Sequence, residues 1–183
     1  MKNLEDNKNW KTFLNELGGN SDRVSIIVAV AAMDTMLTNI LLSYLLPTGK
    51  QIEDDSLFGA DRPLSSFSAR IHLAFRLGLI DEYFAKALHL LRKMRNEFAH
   101  AAISGSLNDS PHKERVEQLC SLFPKSMQHN ELEQKVMSEK DFPSLVRLLI
   151  YIILERLADI KPATISNSAT AKLSPLGDDL ANL

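Results

Sequence analysis

Apolar residues recur along this chain at helical spacing, and the stretches between them carry helix stop and start signals. Trp10, Phe13, Leu14 and Leu17 share one helical face, and Gly18-Gly19 ends that segment. Ser21-Asp22 offers an N-cap for a long helix over about 22–46, closed by Pro47-Thr48-Gly49. Its buried face is expected to carry Ile27, Val30, Leu37, Leu41 and Leu45. Ser65 or Ser66 caps the next helix, whose stripe is Leu64, Phe67, Ile71, Ala74 and Phe75, with His72 and Arg76 facing away. Gly78 suits the residue after a helix end, and Leu79-Ile80 supplies the apolar contact that follows such a stop. Asp81 then caps a central helix, so the two form a tight hairpin. The central helix runs to His100 and places Phe84, Leu88, Leu91 and Phe98 on one face. Ser110-Pro111 opens a helix with Val116, Leu119, Leu122 and Phe123, and Pro124 closes it. Positions 126–141 are polar, with a short helix expected over about 130–138. The final helix runs from Pro143 to Ile160. Its run Leu148 to Leu154 is apolar nearly all round, which implies burial on several sides.

This pattern predicts an all-α, single-domain helical bundle of about five to six helices. The expected division is an N-terminal helix over 1–20, the bundle over 21–161 and a Ser-, Ala- and Asn-rich disordered tail over 162–183. The chain has 183 residues, 45% apolar and 24% charged, enough for one real core. Val24 to Leu46 is long enough to span a membrane. Asp34 sits at its centre, however, and a central Asp costs about 2.5–3.5 kcal/mol on insertion scales. A buried core helix and no membrane are expected. The polar N-terminus is no signal peptide. The single cysteine, Cys120, permits no disulfide within the chain, suits a cytoplasmic protein, and has leucines around it that suggest packing.

Charge changes the picture locally. The net charge is −2, but from Arg62 to His100 there are seven Lys/Arg against three Asp/Glu. Arg70, Arg76, Arg92 and Lys93 are candidate anion-binding residues. No phosphate loop, dinucleotide fingerprint, metal-ligand spacing, nucleophile elbow or helix-turn-helix stands in the sequence. No metal or cofactor is expected.

The densest polar chemistry is Arg92-Lys93-Met94-Arg95-Asn96-Glu97-Phe98-Ala99-His100. Asn96 and His100 neighbour each other on a polar face with His89 and Arg92. Arg95 falls inside the apolar stripe, as Asp34 does on the long helix. A buried charge is normally paired, so an Asp34–Arg95 ion pair in the core is expected.

The stretches Pro63 to Ile71, Ala74 to Ile80 and Leu90 to His100 resemble the mannitol-operon repressor (MltR-like) family, over about Ser21 to His100 plus a compatible last helix. The resemblance implies an all-helical bacterial regulator, a dimer that controls transcription without being an enzyme, directly or through a partner protein. Arg95-Asn96-x-x-x-His100 also resembles the signature of the HEPN superfamily. That resemblance implies a metal-independent endoribonuclease in which Arg95 stabilises the scissile phosphate, His100 acts as acid or base and Asn96 orients it. A third alternative is a plain protein-interaction module. The implied partners are a second copy of the chain, DNA or RNA, or another protein.

Overall fold

In the computed structural model the residues described are 21–45, 57–100, 106–122 and 142–161. They form five helices: α1 Asp22–Tyr44, α2 Phe67–Arg76, α3 Glu82–His100, α4 His112–Ser121 and α5 Phe142–Asp159. No strand occurs among the described residues, as the sequence pattern requires. The expected helix in 1–20, the short helix near 130–138 and the disordered tail lie outside the described residues.

The ends of these helices follow local chemistry. Ser21 accepts from the Val24 N–H at 3.4 Å and Ser66 from the Ala69 N–H at 3.2 Å. The Asp81 carboxylate accepts from the Phe84 N–H at 2.7 Å. Each satisfies a donor that the first turn leaves free. At the end of α2, Gly78 adopts φ 70°. Its N–H donates to the Phe75 carbonyl at 3.0 Å, and the Leu79 N–H reaches back to Ala74 at 3.0 Å. This is the paired closure that a left-handed residue permits, and it folds α3 back along α2.

Helices α1, α3, α4 and α5 close a ring, each packed on the next, and α2 lies in the outer groove between α1 and α3. The end contacts fix their directions. Arg23 reaches the Ala99 carbonyl, so α1 and α3 run antiparallel. The Tyr44 hydroxyl donates to the Lys161 carbonyl at 2.7 Å, so α1 and α5 run parallel. Ile26, Met33, Leu37 and Leu41 of α1 are fully enclosed with Leu88, Leu91, Met94 and Phe98 of α3 and Ile150 and Ile153 of α5. Burying side chains of this size contributes about 1.5–3 kcal/mol each before entropy is counted.

Two faces differ from the sequence expectation. Phe75 is exposed, because α2 fills one groove and buries only Phe67, Ile71 and Ala74. On α1 the buried arc is centred on Ile26, Ala29, Met33 and Leu37, with Ile27 at its margin. Asp34 therefore stands at the edge of the buried face, not within it. Helix α1 is long and apolar enough to cross a membrane by length and composition. Eight of its residues are buried in the bundle.

Candidate functional site

Helix α3 separates its chemistry sharply. Its apolar side faces the ring. On the opposite side, His89, Arg92, Lys93, Asn96 and His100 fall within an arc of about 100°. Lys93 and His100 are exposed and His89, Arg92 and Asn96 half-buried. This ridge runs between α2 and α4.

On the α2 flank, the His72 ring lies 4.8 Å from the His89 ring, tilted by 48°. Partial burial holds His89 below the usual histidine range, and His72, Arg92 and Lys93 add charge repulsion in the same direction. On the α4 flank, Leu90 and Lys93 face Gln118, Ser121 and Leu122 across a recess of about 360 Å³, with Lys86 and His89 on its rim. Lys86 is held by Glu82 at 2.7 Å, an exposed pair. Among the described residues, Arg76, Arg92 and Lys93 have no carboxylate within ion-pair distance.

The expected Asp34–Arg95 pair does not form. Asp34 takes Arg70 instead, Nη1 to Oδ1 at 2.6 Å. Arg70 also donates from Nε to the Leu64 carbonyl at 2.8 Å and from Nη2 to the Ser65 carbonyl at 3.2 Å. The physical reason is placement. Asp34 borders the α1 face that meets α2, and Arg70 borders the α2 face that meets α1. Arg70 is thereby removed from the candidate anion-binding residues, since its donors are already spent on the fold. Arg95 is half-buried and donates from Nη1 to the Oδ1 of its neighbour Asn96 at 3.0 Å. The Asn96 carbonyl thus serves Arg95, while His100 stands exposed at the last residue of α3.

A second charged cluster escaped the sequence reading. Arg115 of α4 donates from Nη2 to Glu97 Oε1, and His112 Nδ1 faces Glu97 Oε2 at 3.5 Å. The His112 ring stacks on Phe98, centroids 4.1 Å apart and planes 12° from parallel. Glu97 Oε2, His112 Nδ1 and Arg115 Nε are buried without a hydrogen-bond partner. His112 follows a proline in a polar stretch, and no periodicity marks it as a core residue. Glu97 at seven positions past Leu90 was the only available signal, since it lies on the α4 side of α3. Cys120 lies in the last turn of α4, and burial pushes its thiol up to about 11, away from nucleophilic chemistry.

The described residues thus define an all-helical bundle with one polar, cationic ridge flanked by a recess. Neither a family model nor a curated protein matches the chain. A solved structure does: the chain superposes on MtlR, the mannitol operon repressor, in the X-ray structure of the MtlR–HPr complex from Escherichia coli. The TM-score is 0.62 at 19% identity, over 81% of this chain and 98% of that one. The likeness is one of fold.

Proposed function

We propose that this chain is a cytoplasmic regulator of transcription without catalytic chemistry of its own, and that it acts as a homodimer through a protein partner. The observation that carries this reading is the likeness to MtlR over 98% of that chain, in a structure where MtlR is complexed with HPr. The partner to test first is therefore an HPr protein. The outer face of α1 supports the dimer. Val24, Val28 and Leu42 are exposed there; Ala31 and Thr35 continue the line from Val28 at spacings of three and four, and the polar Asn39 stands before Leu42. Such a stripe on the most apolar helix suits a second copy of itself.

Calorimetric titration of the full chain with HPr from its own organism tests the partner. Saturable binding at one HPr per protomer is expected. No heat and no co-elution at several hundred micromolar would remove this partner. Light scattering on the same sample reads the dimer, and Val28→Glu is expected to yield monomer.

A second reading is favoured by one observation. Asp34 engages Arg70, and among the described residues Arg95 has no carboxylate within ion-pair distance, which leaves its charge for a phosphate. In a metal-independent ribonuclease, Arg95 would neutralise the scissile phosphate while His100 moved the proton of the 2′-hydroxyl or the leaving oxygen. RNA cleavage in EDTA, abolished by His100→Ala with both proteins folded by circular dichroism, would replace the regulator reading.

A further inference from the structure

The recess between α3 and α4 has the composition of a small-molecule site, and nothing in the partner reading uses it. Its floor is apolar, from Leu90 and Leu122; its wall offers the amide of Gln118, while the Ser121 hydroxyl donates to the Gln118 carbonyl at 2.7 Å; its rim carries Lys86, His89 and Lys93. The volume of about 360 Å³ lies at the lower end of small-ligand sites. We propose that this recess binds a small organic phosphomonoester, its phosphate between Lys93, His89 and Lys86 and its carbon body over Leu90 and Leu122.

Three features select this ligand class. Lys86, His89 and Lys93 span two turns of one helix, about 10 Å, so their side chains can converge on one phosphate. Lys93 has no carboxylate partner among the described residues, and the Lys86–Glu82 pair is exposed and readily exchanged. The apolar floor gives a carbon body a place that inorganic phosphate would leave empty.

The charges around His89 also favour an anion. His72 faces it from α2, with Arg76 one turn further on; Arg92 and Lys93 flank it on α3. From α4 the facing groups are the uncharged Gln118 and Ser121. Glu117 stands one turn before Ser121 and acts on Cys120. Glu82 is occupied with Lys86. Burial first, and then these charges, disfavour the His89 imidazolium in the empty recess, and a bound anion offsets the charge repulsion. Binding takes up a proton at His89 and tightens as pH falls.

The test is titration of the full chain with phenyl phosphate, followed by amide chemical shifts. Saturable shifts are expected at His89, Leu90, Lys93, Gln118, Ser121 and Leu122. Inorganic phosphate should bind more weakly. Lys93→Ala should weaken phenyl phosphate about fivefold, the scale of one partly exposed charged contact. Benzenesulfonate keeps a constant charge, so its affinity isolates the histidine. It should tighten from about pH 8 to about pH 5.5, and His89→Gln should flatten that dependence. Absence of saturable shifts at these six positions overturns the proposal, as does equal affinity of wild type and Lys93→Ala. Shifts at the same positions with an acidic peptide but not with phenyl phosphate would reassign the ridge to a protein partner and overturn it as well. Failure of HPr to bind leaves these readouts unaffected.

Discussion

On the α1–α2 side of the bundle, Arg70 meets Asp34 and two backbone carbonyls, so each edge of its guanidinium has an acceptor. On the α3–α4 side, Arg115 and His112 share one carboxylate, and three buried polar atoms of that cluster have no hydrogen-bond partner. Both clusters join neighbouring helices with a charge pair. They differ in how completely the desolvated groups are recompensed, and that decides what each contributes. An arginine with an acceptor at each of its three nitrogens fixes the seating of α2 in its groove. In the under-satisfied cluster the His112–Phe98 stack stands beside an ion pair whose desolvation is only partly recompensed, and Val116 and Leu119 of α4 add fully buried apolar contact. The polar end of α3 is thus expected to be tied to α4 more by ring contact than by charge.

The largest effect is expected on the satisfied side. Asp34→Ala leaves Arg70 without a carboxylate, its side chain only 12% exposed. Its two carbonyl partners remain, so the loss should be about 2 kcal/mol, below the ~3–5 typical of a fully buried pair. Urea denaturation reads it directly. A loss under about 0.5 kcal/mol would put the pair among ordinary surface bridges and make the two clusters alike.

A smaller effect is expected across α3 and α4. Glu97→Gln keeps an acceptor for Arg115 and removes the charge, so about 1 kcal/mol is expected. Double-mutant cycles sharpen the difference. The coupling between Asp34 and Arg70 should exceed that between Glu97 and Arg115. Changes in one clamp should add to changes in the other within about 0.5 kcal/mol, since they share no partner. A coupling larger for Glu97 and Arg115 would invert the ranking.

The same two regions show what the sequence made legible. Helix α3 has one apolar and one polar face, so its phase is readable, and Phe84, Leu88, Leu91 and Phe98 are buried as expected. The caps at Ser21, Ser66 and Asp81 and the stop at Gly78 were legible because each is a local backbone requirement. Helix α1 is apolar on its exposed side too, at Val24, Val28 and Leu42. Periodicity therefore cannot fix its rotation, and a misplaced face put Asp34 in the core and paired it with Arg95. The side-chain partnership with Arg70 depends on how two helices meet, which no single helix encodes. The polar ridge was legible as His89, Arg92, Asn96 and His100 on one face. The recess was not, because its second wall comes from α4.

The smallest change tests the sign of the comparison. In His112→Phe a phenyl ring replaces the imidazole, keeps the stack on Phe98 and removes one buried atom that lacks a hydrogen-bond partner. Glu97 keeps Arg115. Stability is expected to stay within about 0.5 kcal/mol of wild type or to rise by up to about 1, because an unmet polar group costs more than its removal. The matching change on the other side, Arg70→Met, should be destabilising, since there each guanidinium nitrogen removed had an acceptor and Asp34 is left without its counter-charge. Opposite signs for two polar-to-apolar changes of similar burial would follow from satisfaction alone. A loss above about 2 kcal/mol in His112→Phe would mean that the His112–Glu97 contact at 3.5 Å contributes as a true ion pair, and the α3–α4 junction would then rest on charge as firmly as the seat of α2.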